Sequence, residues 1–282
     1  MKYSVIFSNF LISIYNISME DYKRESLITG LISFMTMALA YILYIYTKDT
    51  PFNYITQTDY SICKFMNNSF CSRTSYLIIA LSVYFIYIQI NKFLSIPVKN
   101  AINDEPNEAI KGIYIGALIS TLSIIINILF GFIELEGINY QISIFYPFII
   151  CIGMLMTGFT EELLFRALPI NALRLYISDN ILILVTAIFF GYIHSGYSFY
   201  YGISAFTFGI LVASGFLKYG LYWAAGLHFA HNTIETLFYS MIKFKNKNPL
   251  MAGERSTPDD DGSTTTIIIL LSTILLKYLN YF

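Results

Sequence analysis

The chain has 282 residues, of which 56% are hydrophobic and only 12% charged, with a formal net charge of −1. Soluble domains carry about twice that charged fraction, and a chain so nearly neutral offers no basic footprint for nucleic acid. Composition therefore excludes an ordinary soluble enzyme and a nucleic-acid-binding protein, and points to the lipid bilayer as the solvent.

The first segment, Tyr3 to Met19, follows Lys2 and resembles a signal peptide, but no small-x-small cleavage site precedes Glu20 and Asp21. It is expected to stay, lying at the interface or leading into the first span. Apolar runs set against polar breaks then predict eight spanning helices, at about 27–47, 76–96, 112–133, 142–165, 180–194, 199–217, 220–242 and 264–282. Four stretches without Asp, Glu, Lys, Arg or His carry the reading: Ser26 to Thr47, Gly112 to Ile133, Gly137 to Thr160 and Ser195 to Leu217. Each exceeds the ~18 residues that a spanning helix needs. Turn chemistry marks the breaks at Thr50-Pro51, Ile96-Pro97, Ser178-Asp179-Asn180 and Tyr219-Gly220.

The expected fold is an all-α integral membrane protein, a bundle of about eight transmembrane helices with a water-accessible intramembrane cavity. It forms a single membrane domain over 1–282, without internal repeat. N-terminal spans without motifs occupy 26–135, a catalytic core 142–242, a polar mobile linker 243–266 and the last span 264–282. The linker reading rests on Pro249, Gly253, Pro258, Gly262 and the run Asp259-Asp260-Asp261. Cys63 and Cys71 share a polar segment between the first two spans, and both a disulfide and two free thiols remain open. Lysines and arginines divide almost evenly between alternate loops, so the positive-inside rule assigns no orientation.

Chemistry concentrates in the later spans. Glu161, Glu162 and Arg166 close a charge-free run, and each costs at least about 2.5 kcal/mol at the bilayer centre, so they must face protein or a water-filled cavity. Glu162 and Arg166, four apart, share a helical face as an ion pair. Glu161 is rotated by about 100° from Glu162 and lacks that partner. An unpaired carboxylate beside a cavity is a candidate base. The bland alternative is a buried ion cluster that only fixes helix packing. Against it stand the chain's three histidines, His194, His228 and His231, which all fall in the downstream apolar hairpins. His194 ends the segment begun by Phe190, and His228 and Asn232 project from one face. The turn near Ile177 to Asp179 lies about as far after Glu161 as before His194, so two antiparallel helices would hold both at similar depth. Pro169 is expected to kink or end the first of them.

Three ordered motifs, EExxxR at Glu161, Glu162 and Arg166, FxxxH at Phe190 and His194, and HxxxN at His228 and Asn232, resemble those of the CPBP group. That group comprises type II CAAX prenyl endopeptidases and prokaryotic relatives linked to bacteriocin processing. The resemblance covers about Thr160 to Asn232 and implies an intramembrane endopeptidase needing no cofactor or metal. In it Glu161 is the general base that activates water, and His194 positions that water. His228 and Asn232 stabilise the oxyanion, while Glu162, Arg166 and Phe190 support the site. The implied partners are the bilayer and a peptide or lipidated peptide of CAAX type. His231 lies outside the motifs and is read as a hydrogen-bonded core residue.

Two other readings compete. A glutamate with two or three histidines is a common zinc set, although HExxH is absent and Asn232 is a poor zinc ligand. A non-enzymatic immunity or scaffold protein, or a proton-coupled transporter, would also carry charge inside spans, but a transporter tends to show two related halves. The many Ile, Asn and Tyr residues point to an AT-rich genome, and so to a prokaryotic plasma membrane rather than endoplasmic reticulum.

Overall fold

The computed structural model describes residues 105–140, 145–174, 177–195, 199–248 and 262–281, together with Phe85 and Gln89, which are helical. Tyr3 to Met19, Cys63, Cys71, the span predicted at 27–47 and the rest of that at 76–96 lie outside the described residues. What is described is mostly helical: α1 (Glu108–Leu129), α2 (Tyr146–Glu162), a π-helical turn (Leu163–Ala167), α3 (Leu168–Leu173), α4 (Asp179–His194), α5 (Phe199–Tyr219), α6 (Leu221–Met241) and α7 (Ser263–Tyr278). Among the described residues, three runs are long and apolar enough to cross a membrane: Glu108–Leu129, Tyr146–Asn171 and Phe199–Tyr219. α4 and α7 are shorter apolar helices. α6 spans 21 residues but carries a polar stripe.

Large apolar side chains also face outward, as they do not on a water-soluble protein. Tyr114 and Leu118 on α1, Leu184 and Ile188 on α4, and Leu271 and Ile274 on α7 face outward, while Ser120, Ser123 and Asn127 of α1 are buried. In lipid the apolar face costs nothing, and polar side chains are held between helices. The core gathers around the π turn and α4 to α6, with Leu163, Phe165, Phe190, Phe208, Leu211 and Trp223 in one cluster.

Two departures from the expected architecture occur at one end of the bundle. Residues Ile133–Ile138 form strand β1 and pair antiparallel with Ile242–Asn246, strand β2, from Ile133 opposite Asn246 to Ile138 opposite Ile242. The span predicted to reach 133 thus stops at Leu129, where Gly131 turns the chain with φ 68°. The first residues of the predicted linker, 243–246, are likewise strand and not mobile coil. Backbone groups leaving a membrane helix need partners, and the ribbon supplies them for both strands. Lys247 bonds Glu134 at 2.6 Å, which holds that carboxyl below its usual range, helped by Lys245. So exposed a pair adds little stability.

α1 and α6 run parallel in backbone contact. A Cβ on Gly112 would stand 2.1 Å from the Trp223 carbonyl oxygen, and one on Gly116 would stand 2.2 Å from that of Leu227. Alanine is the better helix former by roughly 0.5–1 kcal/mol, yet here the obstacle is rigid backbone, so overlap wins. Gly116→Ala should destabilise the protein by about 1–3 kcal/mol, read as a lower thermal unfolding midpoint in detergent. An unchanged or raised midpoint would show that the helices are not in contact.

Candidate functional site

Each polar side chain of the site is brought in by a close helix approach or by a distortion. At Gly158 of α2 a Cβ would lie 3.0 Å from the Phe229 amide nitrogen and 3.4 Å from the His228 Cβ. This draws the end of α2, with Glu161 and Glu162, against the middle of α6. Immediately afterwards the helix widens, and the Leu168 amide bonds the Leu163 carbonyl, five residues back. Pro169 accounts for the widening: it has no N–H to give the Phe165 carbonyl, and its ring would collide with that oxygen in a tight α turn. Pro169 therefore neither ends nor sharply breaks the helix. It converts one turn, and Arg166 sits inside that turn.

The polar cluster centres on Glu162. Its Oε1 accepts a hydrogen bond from Arg166 Nη1 at 3.0 Å and another from His228 Nδ1 at 2.7 Å. Glu162 and Arg166 are wholly buried, and His228 nearly so. A carboxylate bonded to Nδ1 fixes the proton there and turns Nε2 the other way, and His228 Nε2 indeed faces Glu161 Oε2 at 3.7 Å. The Glu161 side chain retains 15% exposure. His228 thus lies between two carboxylates, hydrogen-bonded to one and open to the other. His194 Nδ1 donates to the Phe190 carbonyl at 2.7 Å, which leaves its Nε2 uncommitted as well, within electrostatic range of Glu161 and His228.

Phe190 ties these groups together. The Arg166 guanidinium lies over its ring at 4.2 Å, the His194 ring is 4.3 Å away, and the His228 ring meets it edge-on at 6.0 Å. A guanidinium stacked on an aromatic face gains cation–π attraction that partly offsets its burial. Phe190 is therefore more than packing beside His194.

Of the residues singled out in the sequence, Glu161, Glu162, Arg166, Phe190, His194 and His228 converge. Asn232, one turn beyond His228, is half-buried and has no hydrogen bond to them. The Glu162–Arg166 pair is found as helical spacing predicts. Glu161 is not isolated, since His228 faces it. His231 is buried against Ser120, whose Oγ lies 2.6 Å from its Nδ1, as the core reading expects.

Sequence reasoning missed Phe208, which contacts both His228 and His231, Tyr201 beside His194, and Ser120. It also missed Glu235, which is buried on α6. That one had a signal: it is the only acidic residue between 220 and 242, in a span where carboxylates are costly. Among the described residues no group of three or more His, Cys, Asp or Glu side chains is disposed to hold a metal ion.

Residues 143–234, which include every member of this cluster, match the family model described as Type II CAAX prenyl endopeptidase Rce1-like. No curated protein matches the chain.

Proposed function

We propose that this integral membrane protein, whose residues 143–234 match the Rce1-like model of type II CAAX prenyl endopeptidases, is an intramembrane endopeptidase working by carboxylate-activated water. Its substrate class is a membrane-associated or prenylated CAAX-type peptide. The supporting observation is the His228 ring held by Glu162 on one edge and facing the partly exposed Glu161 on the other. A gap of 3.7 Å is too long for a direct hydrogen bond, so the Glu161 carboxylate is not tied up by the ring and can accept from a water beside it.

In this reading Glu161 takes the proton of the water, His194 Nε2 orients it, and the attack on the scissile carbonyl produces an oxyanion. His228 and the Asn232 amide donate to that oxyanion. With Nδ1 spent on Glu162, the His228 donor is Nε2–H, so the ring must then carry both protons. The Glu162 carboxylate stabilises that positive form, as a triad carboxylate does for its histidine. Glu161 finally returns its proton to the leaving amine. We place this chemistry in a bundle of about eight spans with a water-filled cavity, in a prokaryotic plasma membrane rather than endoplasmic reticulum.

Purified protein in detergent should cleave a reporter peptide, and comparison of prenylated with unmodified reporters defines the substrate class. Strong chelators should leave the rate unchanged. Stoichiometric zinc, with activity lost on its removal and restored on its return, would replace the carboxylate mechanism with a metal one. Equal signals from the native chain and Glu161→Ala would favour a scaffold.

A further inference from the structure

Beyond the six converging residues, the structure joins α1 to the site through one hydroxyl. Ser120 is fully buried, and its Oγ lies 2.6 Å from His231 Nδ1 and 3.3 Å from the His231 carbonyl oxygen. A carbonyl only accepts, and a serine has one proton. Both contacts are satisfied by a single arrangement, in which the hydroxyl donates to the carbonyl and accepts from His231 Nδ1–H. Ser120 thereby selects one tautomer and one ring orientation for His231.

The His231 ring then lies nearly parallel to Phe208, at 4.8 Å and 24°. Phe208 meets the His228 ring edge-on at 5.1 Å and 71°, on a ring that Phe190 also meets edge-on. Rotation of His228 would break its bond to Glu162 and swing Nε2 away from Glu161, and Phe208 is one of the walls that oppose it. The position of Ser120 fits this role. Gly112, Gly116 and Ser120 follow one another at four-residue intervals along α1, against the carbonyls of Trp223, Leu227 and His231 on α6. Only the third carries a hydroxyl, and that hydroxyl is used.

We propose that Ser120 and His231 are positioning residues, a clamp that holds Phe208 and through it fixes the His228 ring between Glu161 and Glu162. As a part in hydrolysis this rests on the endopeptidase reading above, but the clamp itself is measurable without it. Three histidines in the whole chain make ¹⁵N-histidine spectra of the full-length protein in detergent assignable by single substitutions.

In the native chain His231 should show a protonated Nδ1. In Ser120→Ala that signature should be lost and the His228 resonances should move. With a cleavable reporter, Ser120→Ala and His231→Asn should each lower kcat by about 10- to 100-fold, as small misplacements of catalytic groups do, with KM unchanged. Combined, they should be no worse than the more severe single change, because both act through Phe208. Ser123, three residues along α1, bonds Thr265 of α7 at 2.5 Å instead, so Ser123→Ala should leave rate and spectra as they are. Unmoved His228 resonances in Ser120→Ala, or an equal rate loss in Ser123→Ala, overturns the clamp. Cleavage that survives Glu161→Gln overturns the Glu161-based mechanism instead, while the spectra still decide the clamp.

Discussion

Glu161→Gln should reduce cleavage by on the order of 10²–10⁴-fold, the usual contribution of a positioned general base, with the unfolding midpoint little changed. The amide keeps the size of the carboxylate and still faces His228, but it cannot accept a proton from water. Glu161 also keeps some contact with the outside, and His228 and Arg166 retain Glu162 as their hydrogen-bonded carboxylate, so neutralising it strands no buried partner charge. Rate and stability should therefore separate. A variant that keeps more than a tenth of the native rate, on folded protein, would remove Glu161 from the role of base.

Arg166→Met should have the opposite profile. Arg166 and Glu162 are both fully buried and 3.0 Å apart, and removing the cation leaves the buried carboxylate with His228 Nδ1 alone, at a cost of about 3–5 kcal/mol. The pair is not optimised for stability, since Glu162 Oε2 and Arg166 Nε and Nη2 have no hydrogen-bond partner among the described residues. Adding Glu162→Gln to Arg166→Met should therefore recover much of the lost stability and none of the activity, because His228 then loses its charged anchor. Thermal unfolding of the two singles and the double in detergent measures the coupling. A double variant as unstable as the additive sum would show that the charges do not interact.

Much of the helical framework was legible because polar breaks coincide with helix ends. The spans predicted at 180–194, 199–217 and 220–242 are Asp179–His194, Phe199–Tyr219 and Leu221–Met241, each bounded by turn residues that no apolar run could absorb. The ribbon was not legible, since two short strands more than a hundred residues apart leave no local trace of their pairing. Within the site the same division holds. Spacing along one helix found Glu162 with Arg166, but the second partner of Glu162, His228, comes from another helix. Phe208 has no sequence signal at all, because an aromatic in an apolar span looks like any other core residue.

The π turn has a further consequence, which concerns helical phase. A straight α-helix presents one stripe to its surroundings along its whole length. The wide turn at Leu163–Ala167 inserts the equivalent of an extra residue, which shifts the rest of the helix by about 100°. The half before it can then aim its glutamates at α6, and the half after it can turn its own apolar stripe towards α4. One membrane crossing thereby serves two neighbours in two directions, and the length of the segment matters as much as the identity of its residues. A chain one residue shorter there would lose that shift, and with it the alignment of Glu161 and Glu162 relative to the half that follows.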